Sequence, residues 1–381
     1  MQPFYFEYPT RVYFGEHCVR DSLSKELDQM GQNVLLTMGK GSVKRTGIYD
    51  EVITLLNQAG KTVVEFAGIM PNPTYAKVQE GGKLIREHHI DFILALGGGS
   101  VMDCSKIIGT QAMVDEDLWQ MEIVNKQMPT QSIPVGAIVT ATGTGSEMNN
   151  IGVITHEEKE WKGGMKGLAP VFAFLDPTYT QSVPRKQIFS GAFDTLSHAM
   201  ETYFGTTDEN SVSDDLALAI CLNTVRNMRL LLANFNDLKA RTNLMWDSSM
   251  AINGIIKLGR PTGFQCHQIE HQLAVYTDCN HGQGLAAIHP TYYRMIAQSA
   301  PSKFKQFAKF VFDCDDAMQG IDALEQLIVD CGLPTKLSDL DSTCEITEEI
   351  LEKVANSSRI IESAVGDLNS EKILTILKQC M

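Results

Sequence analysis

Short apolar runs separated by stretches of helical period fill the first half of the chain. Runs at 4–7, 11–14, 33–38, 62–66, 92–96, 135–139 and 171–175 are bounded by Gly, Pro or polar residues, which predicts strands. Between them, 19–30, 43–59, 74–88 and 100–112 carry apolar residues three and four apart, the spacing of one helix face. Pro71-Asn72-Pro73-Thr74 reads as a turn opening a helix, with Thr74 as its N-cap. Alternation of this kind predicts a parallel sheet covered on both faces. After Asp176-Pro177 the texture changes. From about 185 onward the period is helical throughout, with segments at 212–233, 237–257, 267–276, 284–298, 301–312, 316–331, 347–358 and 371–379. The expectation is an α/β domain of parallel-sheet, Rossmann-like type over 1–183, then an all-α domain over 184–381, since 381 residues exceed one ordinary core.

Composition narrows the class. With 44% hydrophobic and 20% charged residues the chain is of globular type. A formal net charge of −14 argues against nucleic-acid or anionic-membrane partners, which call for a basic face. Nine cysteines, an odd number with no CxxC spacing, read as reduced thiols. Met-Gln-Pro-Phe-Tyr-Phe-Glu lacks the basic and apolar regions of a signal peptide, and no uninterrupted apolar run approaches the ~20 residues of a membrane span. The expected compartment is cytoplasmic.

The run Asp91 to Leu96 ends in Gly97-Gly98-Gly99-Ser100, followed by a helical pattern. A strand, a glycine turn and a helix N-terminus together present bare N–H groups and a positive dipole end to an anion. Glycine is needed because a Cβ would hold a pyrophosphate away from the chain. These four residues are candidates for a diphosphate cradle. Asn33–Met38 ends in a similar turn, Gly39-Lys40-Gly41-Ser42. An acid there would bind the ribose 2′-hydroxyl of NAD and repel the 2′-phosphate of NADP. None occurs between 37 and 49, where Lys40, Ser42, Lys44 and Arg45 stand instead, so NADP(H) is favoured over NAD(H).

A second constellation lies downstream. Asp194 and His198 are four apart on a helical segment and share one face. His267 and His271 follow, then His281 before Gly282-Gln283-Gly284. Imidazoles with one carboxylate suit ferrous iron or zinc better than calcium or magnesium. Spacing alone leaves metal ligation and plain hydrogen bonding both open. Cys266 and Cys279 read as small apolar packing, Asp103 and Lys106 as capping or salt-bridge residues, and Glu270 as solvated or paired away from the histidines.

With these residues in view, the chain resembles the iron-containing (group III) alcohol dehydrogenases, especially their butanol-dehydrogenase and aldehyde-reductase branch. The resemblance runs nearly end to end: Tyr8 to Gly15, Gly41 to Gly47, Pro71-Asn72-Pro73, Gly97 to Lys106, Thr140 to Glu147, Leu175-Asp176-Pro177 and His267 to Gly284. It implies the dehydroquinate-synthase-like fold, with the metal-bearing helical domain also catalytic. It implies a divalent metal, ferrous iron first and zinc second, on Asp194, His198, His267 and His281, with His271 near the nicotinamide as the catalytic proton carrier. Cofactor contacts are implied from Gly39, Ser42, Asn72, Gly97, Gly98, Gly99, Ser100, Thr140, Thr142, Asn149, Lys162 and Tyr179. The activity implied is hydride transfer between NAD(P)(H) and a short-chain primary alcohol or aldehyde such as butanol or butanal, by a homodimer. Rival readings are a glycerol dehydrogenase or sugar-phosphate lyase on the same fold, or a non-catalytic metal- or nucleotide-binding protein. The lyase would need Lys and Arg clustered near the ligands, and 185–300 is poor in such clusters.

Overall fold

A computed structural model describes residues 2–207, 211–362 and 364–381. It divides into two compact units, one of Glu7–Val183 and one of Pro184–Met381 with the N-terminal segment up to Phe6.

In the first unit, β1 (Arg11–Phe14), α1 (Cys18–Leu27), β2 (Asn33–Met38), α2 (Ser42–Arg45), α3 (Ile48–Gln58), β3 (Thr62–Phe66), α4 (Tyr75–Glu87), β4 (Phe92–Gly97), α5 (Gly99–Gln111) and β5 (Val135–Val139) follow in order. β6 (Ile151–His156), β7 (Trp161–Lys166) and β8 (Phe172–Leu175) complete it. Six strands form one sheet in the order β1-β8-β5-β4-β2-β3, with every pair parallel. Alternate residues explain the layering. Val34, Leu36, Met38, Phe92, Leu94 and Leu96 face a core shared with Val19 and Leu23 of α1 and Val52 and Leu56 of α3. α5 packs on the sheet's β4 and β5, and α4 packs on α5. The chain leaves β2 toward one edge and β4 toward the other, so the topological switch falls between these two strands.

Several features depart from the sequence expectation. No strand forms at 4–7, where Phe4, Tyr5 and Phe6 are exposed. The helix expected over 43–59 breaks at Gly47, whose φ of 79° no β-branched residue accepts cheaply. The hairpin β6–β7 is an addition: Gly152, Gly163 and Gly164 dilute its alternation. Gly152 is required there, because a Cβ would stand 2.6 Å from the Asp103 carbonyl on α5. Finally, one helix of the second unit (below) is long and apolar enough to cross a membrane.

The second unit is helical: α6 (Arg185–Tyr203), α7 (Val212–Ala233), α8 (Leu238–Ile252), α9 (Gln265–Thr277), α10 (His281–Ile296), α11 (Pro301–Phe312), α12 (Ala317–Asp330), α13 (Glu348–Ser357) and α14 (Ser370–Gln379). α7 is the apolar helix in question, yet it is capped by Ser211 and Asp214 and packs between α6 and α8, as a core helix does. The helix expected over 237–257 stops at Asn253-Gly254, and a short turn, Ile255–Lys257, follows. α10 begins three residues earlier than its apolar pattern because Asn280 caps it, accepting from the Gln283 N–H at 3.2 Å. All nine cysteines are free thiols.

Candidate metal centre and nucleotide turn

Three helices bring the metal-ligand candidates together. Asp194, His198 and Glu201 recur at four and three residues along α6, so they share a face. On α9, Glu270 and His271 stand three and four residues after His267. Asp278, in the left-handed conformation that aspartate tolerates, ends α9 and turns the chain so that His281 opens α10. A Cβ at Gly282 would lie 2.2 Å from the Ser190 carbonyl, so glycine permits the first turn of α10 to lie against α6.

Asp194 Oδ1 consequently stands 3.5 Å from His198 Nε2, 3.6 Å from His267 Nε2 and 3.5 Å from His281 Nε2. These separations exceed a hydrogen bond. Asp194 Oδ1 and His267 Nε2 are buried and have no hydrogen-bond partner. Three imidazole nitrogens converging on one orphaned carboxylate oxygen is a donor set that a divalent cation of borderline softness satisfies. The far sides of two rings explain why the Nε2 atoms point inward. The Glu201 carboxylate accepts from His267 Nδ1 and from the backbone N–H groups of Cys266 and His267 at 2.7 and 3.1 Å. The Glu270 carboxylate accepts from His281 Nδ1. A carboxylate can only accept, so each fixes the proton on Nδ1 and leaves Nε2 with a lone pair.

Charge follows the same logic. Burial alone would raise the Asp194 carboxyl, but His198, His281 and His267 outweigh it and hold the group far below the usual carboxylate range. Burial pushes His198 down to about 3 against the pull of Asp194. His267 moves the other way, because Glu201 and Asp194 together overcome its burial. His271, one turn beyond His267, places its ring 5.6 Å from that of His281 and 6.2 Å from that of His267. Glu270, His271 and His281 also lie close enough to share an ion. The Asp194 group fits better, since Glu270 is already committed to Nδ1 of His281.

Neither supporting carboxylate was identified from sequence, and Glu270, expected to pair elsewhere, is fully buried against His281. A usable signal existed: His198 to Glu201 and His267 to Glu270 repeat one His-x-x-Glu spacing on helices. Lys257, also unremarked, lies near this cluster with its Nζ 4.1 Å over the Phe264 ring, and burial pushes it down to about 8 while Glu201 opposes.

In the α/β unit, the candidate cofactor residues gather at the carboxyl ends of neighbouring strands. Gly39 follows β2, Gly97 ends β4 with Gly98 to Ser100 directly after it, Thr140 and Thr142 follow β5, and Tyr179 follows β8. Ligands of α/β sheets bind at this edge, beside the topological switch. Gly98 is the N-cap of α5, and a Cβ on Gly99 would come 2.0 Å from Thr144 Oγ1. Ser42 opens α2, behind Gly41 at a φ of 118°. Ser100 Oγ donates to the Pro71 carbonyl, and Lys162 Nζ on β7 donates to Asn72 Oδ1 at 3.0 Å. Asn149 is engaged by α5 and by the chain just after it: its Oδ1 accepts from Lys106 Nζ at 3.0 Å and Ile151 N at 2.9 Å. Tyr179 is buried in the sheet core. Asp103 and Lys106 form an ion pair, as one of the two readings expected. Lys106 is fully buried, 3.6 Å from Asp103, and donates to Ser146, Asn149 and Ile151.

The glycine turn at the carboxyl edge of the parallel sheet suits a dinucleotide, and the orphaned carboxylate among imidazoles in the helical unit suits a divalent ion. The chain belongs to the iron-containing alcohol dehydrogenase family: the iron-containing alcohol dehydrogenase model matches residues 9–177, and the C-terminal model of the Fe-containing family matches 188–381. It is 35% identical to the probable NADH-dependent butanol dehydrogenase 1 of Bacillus subtilis, over 99% of both chains. It is 32% identical to the NADPH-dependent aldehyde reductase YqhD of Escherichia coli, over 89% of both. The crystal structure of NADH-dependent butanol dehydrogenase A from Thermotoga maritima superposes with a TM-score of 0.92 at 29% identity, covering 100% of this chain and 99% of that one. The chain is thus an NAD(P)-dependent alcohol dehydrogenase or aldehyde reductase that uses a metal.

Proposed function

We propose that this enzyme reduces short-chain aldehydes such as butanal, and oxidises the matching primary alcohols, at the Asp194, His198, His267 and His281 cluster. The observation that carries this reading is Asp194 Oδ1, buried without a hydrogen bond yet 3.5 to 3.6 Å from three Nε2 atoms. When bound, a divalent ion there, ferrous iron first and zinc second, supplies Lewis-acid polarisation of the substrate oxygen, and the nicotinamide supplies or takes the hydride. Glu201 and Glu270 hold the tautomers of His267 and His281, so that both rings offer lone pairs without rearrangement. His271 gives a proton to the alcohol oxygen as it forms, and takes it back in the oxidative direction, at an imidazole nitrogen. The glycine edge of the α/β domain (1–183) holds the dinucleotide: Gly97, Gly98, Gly99 and Ser100 take its diphosphate, with Gly39, Ser42, Asn72, Thr140, Thr142, Asn149, Lys162 and Tyr179 around them. The helical domain (184–381) does the chemistry.

Preference for NADP(H) rests on Lys40 and Arg45, because Lys44 is taken by Glu65 at 2.7 Å. Reduced, mostly buried cysteines support a cytoplasmic setting, and the exposed aromatic side chains Phe4, Tyr5 and Phe6 support association as a homodimer. The test is butanal reduction with NADPH and NADH separately, on protein stripped of metal and restored anaerobically with ferrous iron or zinc. Turnover that returns only with metal is expected. Full turnover by the stripped protein would overturn the reading, and the better ion and nucleotide decide the two finer assignments.

A further inference from the structure

Lys257 closes the turn Ile255–Lys257 and is only partly buried. Its Nζ stands 4.1 Å over the Phe264 ring, and that ring lies 5.1 Å from the His267 ring and 6.0 Å from the His198 ring. The ammonium therefore sits one aromatic ring away from two metal-ligand candidates. Among the described residues it has no ion pair and no hydrogen bond. Two nearby carboxylates are already engaged, Glu201 by His267 and two backbone N–H groups and Glu270 by His281, and Asp194 is assigned to the ion by the reading above. An unpaired ammonium close to a cluster that binds a dication raises the electrostatic cost of both. An aromatic face offsets only part of that cost. An occupant that brings its own negative charge offsets the rest.

We propose that Lys257 forms an anion subsite beside the hydride-transfer centre, and that the enzyme's substrates include short aldehydes and alcohols bearing a terminal carboxylate. The proposal rests on the dehydrogenase reading above and names the substrate class for that site. A carboxylate matches better than a phosphate because Lys257 brings a single charge. Arg260, the next basic residue in the chain, is committed to Asp214, Tyr203 and Thr206. In the reductive direction, the hydride from C4 of the reduced nicotinamide forms a C–H bond at the aldehyde carbon. The carbonyl π pair moves to oxygen, which takes a proton. The carboxylate is unchanged throughout and pairs with Lys257, so the product is a terminal hydroxy acid and the oxidised nicotinamide.

The experiment compares two four-carbon aldehydes, succinate semialdehyde and butanal, on the metal-restored native enzyme and on Lys257→Met and Lys257→Arg. Calorimetric titration of each metal-loaded protein with succinate, an unreactive dicarboxylate, runs in parallel. The ratio of kcat/KM for the acid over the neutral aldehyde is expected to fall on the order of 10- to 100-fold in Lys257→Met, mainly through KM, as loss of a charged hydrogen-bond partner predicts. Lys257→Arg should retain most of the ratio, and succinate binding should be lost in Lys257→Met. A ratio that does not move between native enzyme and Lys257→Met, or equal succinate binding by both, overturns the proposal. If the native enzyme turns over neither aldehyde, the dehydrogenase reading has failed, and the succinate titration alone decides for or against the subsite.

Discussion

Around the glycine turn, a buried cation, Lys106, reaches the oxygens of Ser146, Asn149 and Ile151 and so fixes the loop after β5. Around the histidine cluster the roles reverse, and buried anions, Glu201 and Glu270, fix the orientation of rings. The first region shapes a backbone edge by excluding Cβ atoms, as at Gly99 beside Thr144. The second presents side-chain lone pairs and needs the right tautomer. A phosphate-binding edge asks for N–H groups and close approach, whereas a metal centre asks for aimed donors. The two regions should therefore fail differently when perturbed.

The largest effect is expected from His267→Ala, which removes a donor and leaves Glu201 buried without its imidazole. Bound metal and activity should both vanish while nucleotide binding persists, read by metal analysis and by nucleotide fluorescence titration. Retained stoichiometric metal would break the ligand assignment. Next comes Lys106→Met. It strands Asp103, which burial already raises against the pull of Lys106 and a hydrogen bond from Ser146, and it strands the loop oxygens. Removing one partner of a buried pair costs about 3–5 kcal/mol. Urea unfolding should show that loss, and nucleotide affinity should fall while metal content holds. Equal loss of metal would mean that the regions do not act separately.

A control lies outside both regions. Asp247 of α8 faces only neutral donors, Asn223 and Thr224, and burial pushes it up to about 6 despite them. Between about pH 4 and 6 the unfolded chain has released this proton while the folded one keeps it, so stability falls as pH rises through that window, by about 3 kcal/mol. The cost is fully present at pH 7. Asp247→Asn should gain stability relative to the native protein between pH 4 and pH 7, measured by urea midpoints, and a pH-independent difference would contradict this assignment. The smallest effect is expected from Glu201→Gln, which keeps an acceptor but removes the charge. Metal affinity should weaken roughly 10- to 100-fold in chelator competition with the fold intact. No change in affinity would show that Glu201 only packs.

How much of this was legible in the sequence follows the same division. The sheet strands were legible because buried parallel strands are continuous apolar runs closed by glycine, as in Phe92 to Gly97. The hairpin β6–β7 was not, since its glycines serve close packing on α5 and erase alternation. Helices were legible to within a few residues, except where Gly47 and Gly254 interrupt a period that apolar spacing alone carries through. At the site, Asp194 and His198 share a turn of helix and could be paired by counting. Glu201 and His267 could not, since their contact spans 66 residues and depends on how α6 meets α9. Lys257 was invisible for the same reason: its neighbours come from the fold, not from the chain beside it.

That long-range pairing has a bearing on synthesis. α6 leaves the ribosome with Asp194, His198 and Glu201 in place, but the rings they meet belong to α9 and α10 and emerge much later. A nascent chain therefore offers an ion only an incomplete claw, and a full complement of donors exists only after His281 has been translated. On the ligand assignment proposed above, ion loading thus waits for α10, while α11 to α14 are still to be made.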